Sequence, residues 1–267
     1  MGVRARVRDW WRGRGARAAP LGDPPAGLAP AAQPAALGPP GPRPALGPPV
    51  FDAAVEAALA AGALPRLLRP LGPGVYELPL IDAGARAAWW AACESALRAP
   101  EGPGAPPNSM HEYGFGVEAI GGDAWAQRLG QELLSAAAGL FPGVEGPVVD
   151  VHAFIAAYGP GRDHALALHV DDSTLTLNVC LGDAFTGGEV VFEGVRCPAH
   201  RQEALLTGER VVWAPRPGAA VLHRGAHRHH VRPVESGRRT HLIVWGRVER
   251  RAELSGCAAW CESPSRR

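Results

Sequence analysis

His169 and Asp171, in the run LALHVDDSTLTLNVCLG, stand two residues apart. On an extended strand that spacing sends an imidazole and a carboxylate to one face, where both can chelate one divalent cation. Asp172 would face the other way. Pairs of this kind are common by chance, so the reading needs a third donor. The run VLHRGAHRHHVRPVESGRRTHLIVW offers four: His223, His227, His229 and His230.

Two imidazoles and one carboxylate on a triangular face leave part of a metal's coordination sphere open, unlike a closed structural zinc site. That arrangement suits iron(II). A 2-oxo acid can take two of the open positions and dioxygen the last. The distal carboxylate of such an acid needs a fixed cation, and the planar fork of arginine binds carboxylate in two places. Arg239 lies ten residues beyond His229, past Pro233 and Gly237, with Arg238 as its local competitor.

The elements that must position these groups are short. VVDVHAFIAAY, LTLNVCL, EVVFEG, RVVWAP, AAVLH and THLIVW are rich in β-branched and aromatic residues and are separated by Gly/Pro turns. This texture predicts a β sandwich or barrel from Val148 onward. Within Ser173 to Leu181, Leu175, Leu177 and Val179 alternate with Thr174, Thr176 and Asn178. The plain reading is one core face and one wet face; the other puts Thr176 and Asn178 inside a barrel mouth. Tyr158 ends its strand either as a packing residue or with its hydroxyl free for a ligand. Gly187, Gly188 and Gly218 read as turn residues.

Helical signals come earlier: Phe51 to Ala61, Ala83 to Arg98 around Trp89 and Cys93, and Asp123 to Leu140 behind an acidic cap. The expected organisation is a Pro/Ala/Gly/Arg-rich disordered tail (1–49), a helical support region (50–106), the β domain (107–250) and a C-terminal tail (251–267).

The chain has 267 residues and a formal net charge of +1, with no basic excess to indicate nucleic acid. All its positive side chains are arginines, which fits a GC-rich genome more than phosphate binding. No apolar run approaches a membrane span. The opening MGVRARVRDWWRGRGARAA is Arg-rich and nearly acid-free, so a soluble cytoplasmic protein, or an organellar one with a transit peptide, is expected. The cysteines, Cys93, Cys180, Cys197, Cys257 and Cys261, form no disulfide pattern. Cys257 and Cys261 could pair on a metal, but no second pair lies near them in sequence. Free thiols are the expectation.

HVDDSTLTLN, GGEVVF and HHVRPVESGRR together resemble the iron(II)- and 2-oxoglutarate-dependent oxygenases of the prolyl 4-hydroxylase and lysyl hydroxylase type, over roughly Pro107 to Arg247. PNSMHEYG and the HRG before the distal histidine look most like the branch named for its oxoglutarate and iron-dependent oxygenase domain. The resemblance implies a mostly β fold, a double-stranded β-helix (jelly roll) with supporting N-terminal helices. It implies Fe(2+) on His169, Asp171 and His229, the last chosen by three residues before Pro233, with His227 as fallback. His223 is then a packed or hydrogen-bonded residue, and His230 points away. The oxoglutarate cation is Arg239, with Asn178 and Tyr158 beside the co-substrate and Asn108, Met110 and Tyr113 toward the substrate. L-ascorbate is implied as reductant. The substrate is a prolyl or lysyl side chain of a protein, or a small molecule. A cupin-like metal-binding module without oxygenase activity is the rival reading, and metal-assisted hydrolysis a third.

Overall fold

The computed structural model describes residues 46–100, 102–182, 184–250 and 260–264. The Arg-rich opening, with its transit-peptide and disordered-tail readings, lies outside the described residues up to position 45. Leu46 to Pro49 are described and packed: the Gly47 carbonyl accepts from Trp125 Nε1 at 3.0 Å, and that of Pro49 accepts from Arg128. Helix α1 (Ala53–Ala60) is capped by Asp52, whose carboxylate accepts from the Ala54 N–H. The single turn α2 (Leu64–Leu67) leads into a hairpin, β1 (Arg69–Gly72) and β2 (Val75–Pro79). The segment expected to be helical support therefore also supplies two strands. Neither carried the Val/Ile/aromatic density that marked the later ones.

Helix α3 (Ala83–Arg98) has Asp82 as its cap. After β3 (Gly114–Gly116), helix α4 (Asp123–Arg128) continues through a π-turn over Leu129–Leu134 and short turns to Leu140. The cap of α4 is Gly122. Asp123 is the first helical residue, where its charge suits the positive end of the helix dipole.

Ten strands follow: β4 (Glu145–Tyr158), β5 (Leu166–His169), β6 (Leu175–Cys180), β7 (Phe185–Gly187), β8 (Val190–Val195), β9 (Arg210–Trp213), β10 (Ala219–Arg224), β11 (His227–Val231), β12 (Val234–Gly237) and β13 (Arg239–Arg250). A seven-stranded sheet runs β1-β2-β10-β6-β13-β4-β3 and a four-stranded sheet runs β5-β11-β8-β9, with β12 and β7 paired separately. All these pairings are antiparallel. This is the jelly-roll architecture that the resemblance implied, and it agrees with the sandwich or barrel read from the strand-rich half.

The period-two alternation of the large sheet sorts side chains between two cores. Leu177 and Val179 of β6, Leu222 of β10, Ile155 of β4 and Val244 of β13 pack against the helices with Trp89, Trp125, Leu129 and Leu133. Their neighbours in the chain, Phe154, Tyr158, Val221 and Ile243, face the second sheet and meet Phe192, Trp213 and Val231. The helices cover one face. The site lies on the other, between the sheets.

Candidate metal centre

His229 on β11 is the direct cross-strand partner of His169 on β5. Opposed residues on antiparallel strands project to the same face, and the two rings lie with centroids 4.2 Å apart. Strand β5 ends at His169, so Asp171 sits in the following loop rather than on the strand expected for it. Its N–H donates to the Gly225 carbonyl at 2.9 Å, and the Gly225 N–H donates to Thr174 at 3.1 Å. A Cβ on Gly225 would come within 2.2 Å of the Ser173 carbonyl oxygen, so only glycine permits this approach.

The three side chains converge. Asp171 Oδ1 lies 3.6 Å from His169 Nε2 and Oδ2 lies 3.8 Å from His229 Nε2. All three donor atoms fall within 4.8 Å of one another. Each Nδ1 is already committed: His169 Nδ1 to the Ala167 carbonyl at 2.8 Å and His229 Nδ1 to the His227 carbonyl at 2.9 Å. A neutral imidazole bonded this way turns the Nε2 lone pair toward the shared centre, as metal ligation requires. The Thr176 hydroxyl donates to Asp171 Oδ2 at 2.6 Å, and Ser173 Oγ lies 2.8 Å from Thr176 Oγ1. Asp172 turns away and pairs with Arg247 at 2.6 Å.

Charge states agree with this geometry. Burial favours a neutral Asp171, but the imidazoles of His229 and His169 outweigh it and hold the carboxyl well below its usual range. Burial, then the charge of His169, keeps His229 far below the ordinary histidine value. Burial also opposes a charged His169, yet its hydrogen bond and charge contact with Asp171 win and raise it. At neutral pH the site presents a carboxylate beside a neutral His229.

The same cavity holds Arg239, Tyr158, Asn178 and His111. Arg239 is 1% exposed, and its Nε donates to the Gly188 carbonyl at 2.9 Å. Its Nη2 is buried without a hydrogen-bond partner, and no carboxylate among the described residues perturbs it. A buried guanidinium lacking an anion is costly, and here it faces into the cavity. The Tyr158 ring lies 4.7 Å from the guanidinium carbon, and burial pushes its hydroxyl up to about 12. His111 Nε2 lies 3.1 Å from that hydroxyl. Asn178 accepts from His241 Nδ1 at 2.5 Å, so the alternating face of β6 is buried and polar rather than wet.

Arg238 goes elsewhere, pairing with Glu94 on α3 at 2.5 Å. His227 is buried against Phe192, with neither ring nitrogen bonded, and is not among the converging donors. His230 is half-buried and does not line the cavity. Asn108 is occupied inside its own turn, accepting from Met110 N, His111 N and His111 Nδ1. Neither it, Met110 nor Tyr113 lines the cavity; His111 does. Sequence reasoning missed His111 because the PNSMHEYG block has no strand or helix period to assign its side chains a face. It read His223 as a packed or hydrogen-bonded residue, and the ring is buried against Phe192. His223 Nδ1 donates to the Arg224 carbonyl at 2.9 Å, and its Nε2 lies 3.9 Å from Asp171 Oδ2.

A search against family models finds no match. Curated relatives are found. A 2-oxoglutarate and iron-dependent oxygenase domain-containing protein of Arabidopsis thaliana is 41% identical over 161 residues, 58% of this chain and 41% of that protein. The 2-oxoglutarate and iron-dependent oxygenase domain-containing protein 2 of Mus musculus is 34% identical over 231 residues, covering 80% of this chain and 62% of its own. The chain thus spans less than two thirds of the length of these relatives. Among solved structures, a Pseudomonas putida prolyl-4-hydroxylase overlaps with a TM-score of 0.45 at 22% identity, covering 65% of this chain and 87% of the other.

Proposed function

We propose that this homologue of the 2-oxoglutarate and iron-dependent oxygenase domain-containing proteins is itself an iron(II)- and 2-oxoglutarate-dependent dioxygenase that hydroxylates a C–H bond. The observation that carries the reading is the joint presence, in one cavity, of three converging donors and a buried guanidinium without an anion. The donor set fits Fe(2+): two imidazole nitrogens, one carboxylate oxygen, and room left beside them for other ligands. When bound, the iron would supply the activation of dioxygen, one oxygen atom of which goes to succinate as 2-oxoglutarate loses carbon dioxide and the other to the hydroxylated substrate.

This chain's residues do the positioning. His169, Asp171 and His229 would hold the metal, with Thr176 fixing the carboxylate. Arg239 would take the distal carboxylate of 2-oxoglutarate, its aim set by the Gly188 carbonyl and the face of Tyr158. The Tyr158 hydroxyl and Asn178 would line the co-substrate's flank. Phe154, Ile243 and Trp245 wall the cavity and keep water from the reacting atoms. L-ascorbate, proposed on the resemblance, is the reductant that restores ferrous iron. The substrate class proposed is a prolyl or lysyl side chain of a protein, or a small molecule; one relative is named as a procollagen lysine hydroxylase. No helix among the described residues is long and apolar enough to cross a membrane.

The test is succinate release from 2-oxoglutarate by freshly reduced protein, with and without iron(II), with mass spectrometry of candidate peptides and metabolites for the gain of one oxygen. Iron-dependent succinate supports the reading. Metal retention with no succinate would instead support a cupin-like binding module.

A further inference from the structure

Away from the site between the sheets, a second cluster of metal-capable side chains forms where the β8–β9 loop meets the C-terminal segment. Cys197 precedes a short 3-10 turn (Pro198–His200), which lifts His200 back over it. The C-terminal residues return here: the Glu262 N–H donates to the Val195 carbonyl at 3.0 Å, at the end of β8. This puts Cys261 beside the turn.

Cys197 Sγ lies 3.2 Å from His200 Nδ1, and Cys261 Sγ lies 3.6 Å from the same nitrogen. All three donor atoms are within 4.8 Å of one another. Around tetrahedral zinc, with its usual bond lengths, sulfur and nitrogen ligands stand roughly 3.6 Å apart. Both cysteines are buried, while the other ring nitrogen of His200 faces Glu203 Oε1 at 3.9 Å, a carboxylate behind the imidazole as zinc sites often have. The Cys197 N–H also donates to Cys261 Sγ at 3.3 Å. In sequence, Cys197 and His200 are separated by two residues, and Cys261 follows Cys257 after three. Both intervals are those of zinc-ligand pairs.

We propose that Cys197, His200 and Cys261 hold a zinc ion. Two thiolates neutralise the charge of the ion, and thiolate with imidazole selects zinc over the hard cations. The described cysteines are free thiols, as expected; no second pair lies near Cys261 in sequence, and it is the fold that brings Cys197 and His200 to it by way of β8.

The site would clamp the last residues to a loop that supports β11. Arg228, next to His229, donates to the carbonyls of Glu193, Arg201 and Glu203, at 2.9, 3.2 and 2.6 Å. Ser263 Oγ bonds Glu203. Loss of the zinc should therefore loosen the strand that carries His229.

Cobalt(II) loaded into the metal-free full chain tests this in the native sequence. Thiolate-bound cobalt gives a sulfur-to-metal charge-transfer absorption that a His/His/Asp site lacks. The expected result is that absorption, saturating at about one equivalent and displaced by zinc. It should persist in Asp171→Ala and disappear in Cys197→Ser and Cys261→Ser. No such absorption in the unsubstituted chain, or an absorption that survives both cysteine substitutions, overturns the proposal. So does mass spectrometry showing Cys197 and Cys261 joined as a disulfide.

Discussion

His229 and His169 face each other across adjacent antiparallel strands, with both Nδ1 atoms bonded to backbone carbonyls and both Nε2 atoms turned to Asp171. The pairing of β5 with β11 is therefore what assembles the donor set. His229→Ala and His169→Ala should each weaken iron(II) binding by well over 100-fold, beyond the effect of losing a supporting hydrogen bond. His227→Ala should leave it nearly unchanged. Calorimetric titration of iron(II) into the anaerobic protein reads both. Equal losses at His227 and His229 would contradict the assignment.

Arg239 and Arg238 are adjacent but serve different neighbours, the cavity and Glu94. Removing one partner of a desolvated charge pair costs about 2–5 kcal/mol, so Arg239→Ala should raise KM for 2-oxoglutarate by at least roughly 30-fold. Arg238→Ala should change it less than about threefold. Succinate release against 2-oxoglutarate concentration separates them, and a larger effect at Arg238 would refute the choice.

Thr176 acts through Asp171. In Thr176→Val the shape is kept and the hydroxyl at 2.6 Å from Oδ2 is lost. Iron(II) affinity should fall roughly 10–100-fold, with the fold retained by circular dichroism. Unchanged affinity would mean that the loop anchored on Gly225 aims the carboxylate unaided.

Burial, reinforced by the charge of His169, lowers the pKa of His111 to about 4. The unfolded chain, with an ordinary histidine near 6.5, therefore binds a proton that the folded chain refuses between those values. The sign follows: stability is full above about pH 6.5 and falls as pH drops toward 4, by roughly 3 kcal/mol from this group. His111→Leu should make the denaturation free energy less steep across that window. An unaltered slope would mean that His111 takes up its proton in the native state.

Glu94 is 2% exposed and is met by Arg162 at 3.0 Å, Arg238 at 2.5 Å and Arg98 at 3.4 Å. It joins α3 to the loop after β4 and to the start of β13. The arginines are partly solvated, so Glu94→Gln should cost about 2 kcal/mol, below the range for a fully buried pair. Thermal unfolding should then shift down by roughly 4–8 °C. No shift would show the contacts to be passive.

The local order of the chain determined much of this molecule. Period-two runs such as LTLNVCL and THLIVW became central strands because the apolar residues on one parity, Leu177, Val179, Leu242 and Val244 among them, could pack on the helices. Asp52 and Asp82 fixed the starts of α1 and α3 through their side-chain caps. His-x-Asp, the histidine cluster and the arginine ten residues beyond were readable as donors and cation. What the order of residues could not decide was partnership. Whether His227 or His229 meets His169 depends on the β5–β11 register and the bulge between them. Whether Arg238 or Arg239 enters the cavity depends on which side of β13 faces the second sheet. His111 and the meeting of Cys261 with His200 were invisible, because each rests on contacts between segments far apart in the chain; the β1–β2 hairpin was missed because its strands, Arg69–Gly72 and Val75–Pro79, lack the residue density that marked the others. Side-chain types and short spacings are local properties; strand register and the packing of one sheet on another exist only once the whole chain has folded.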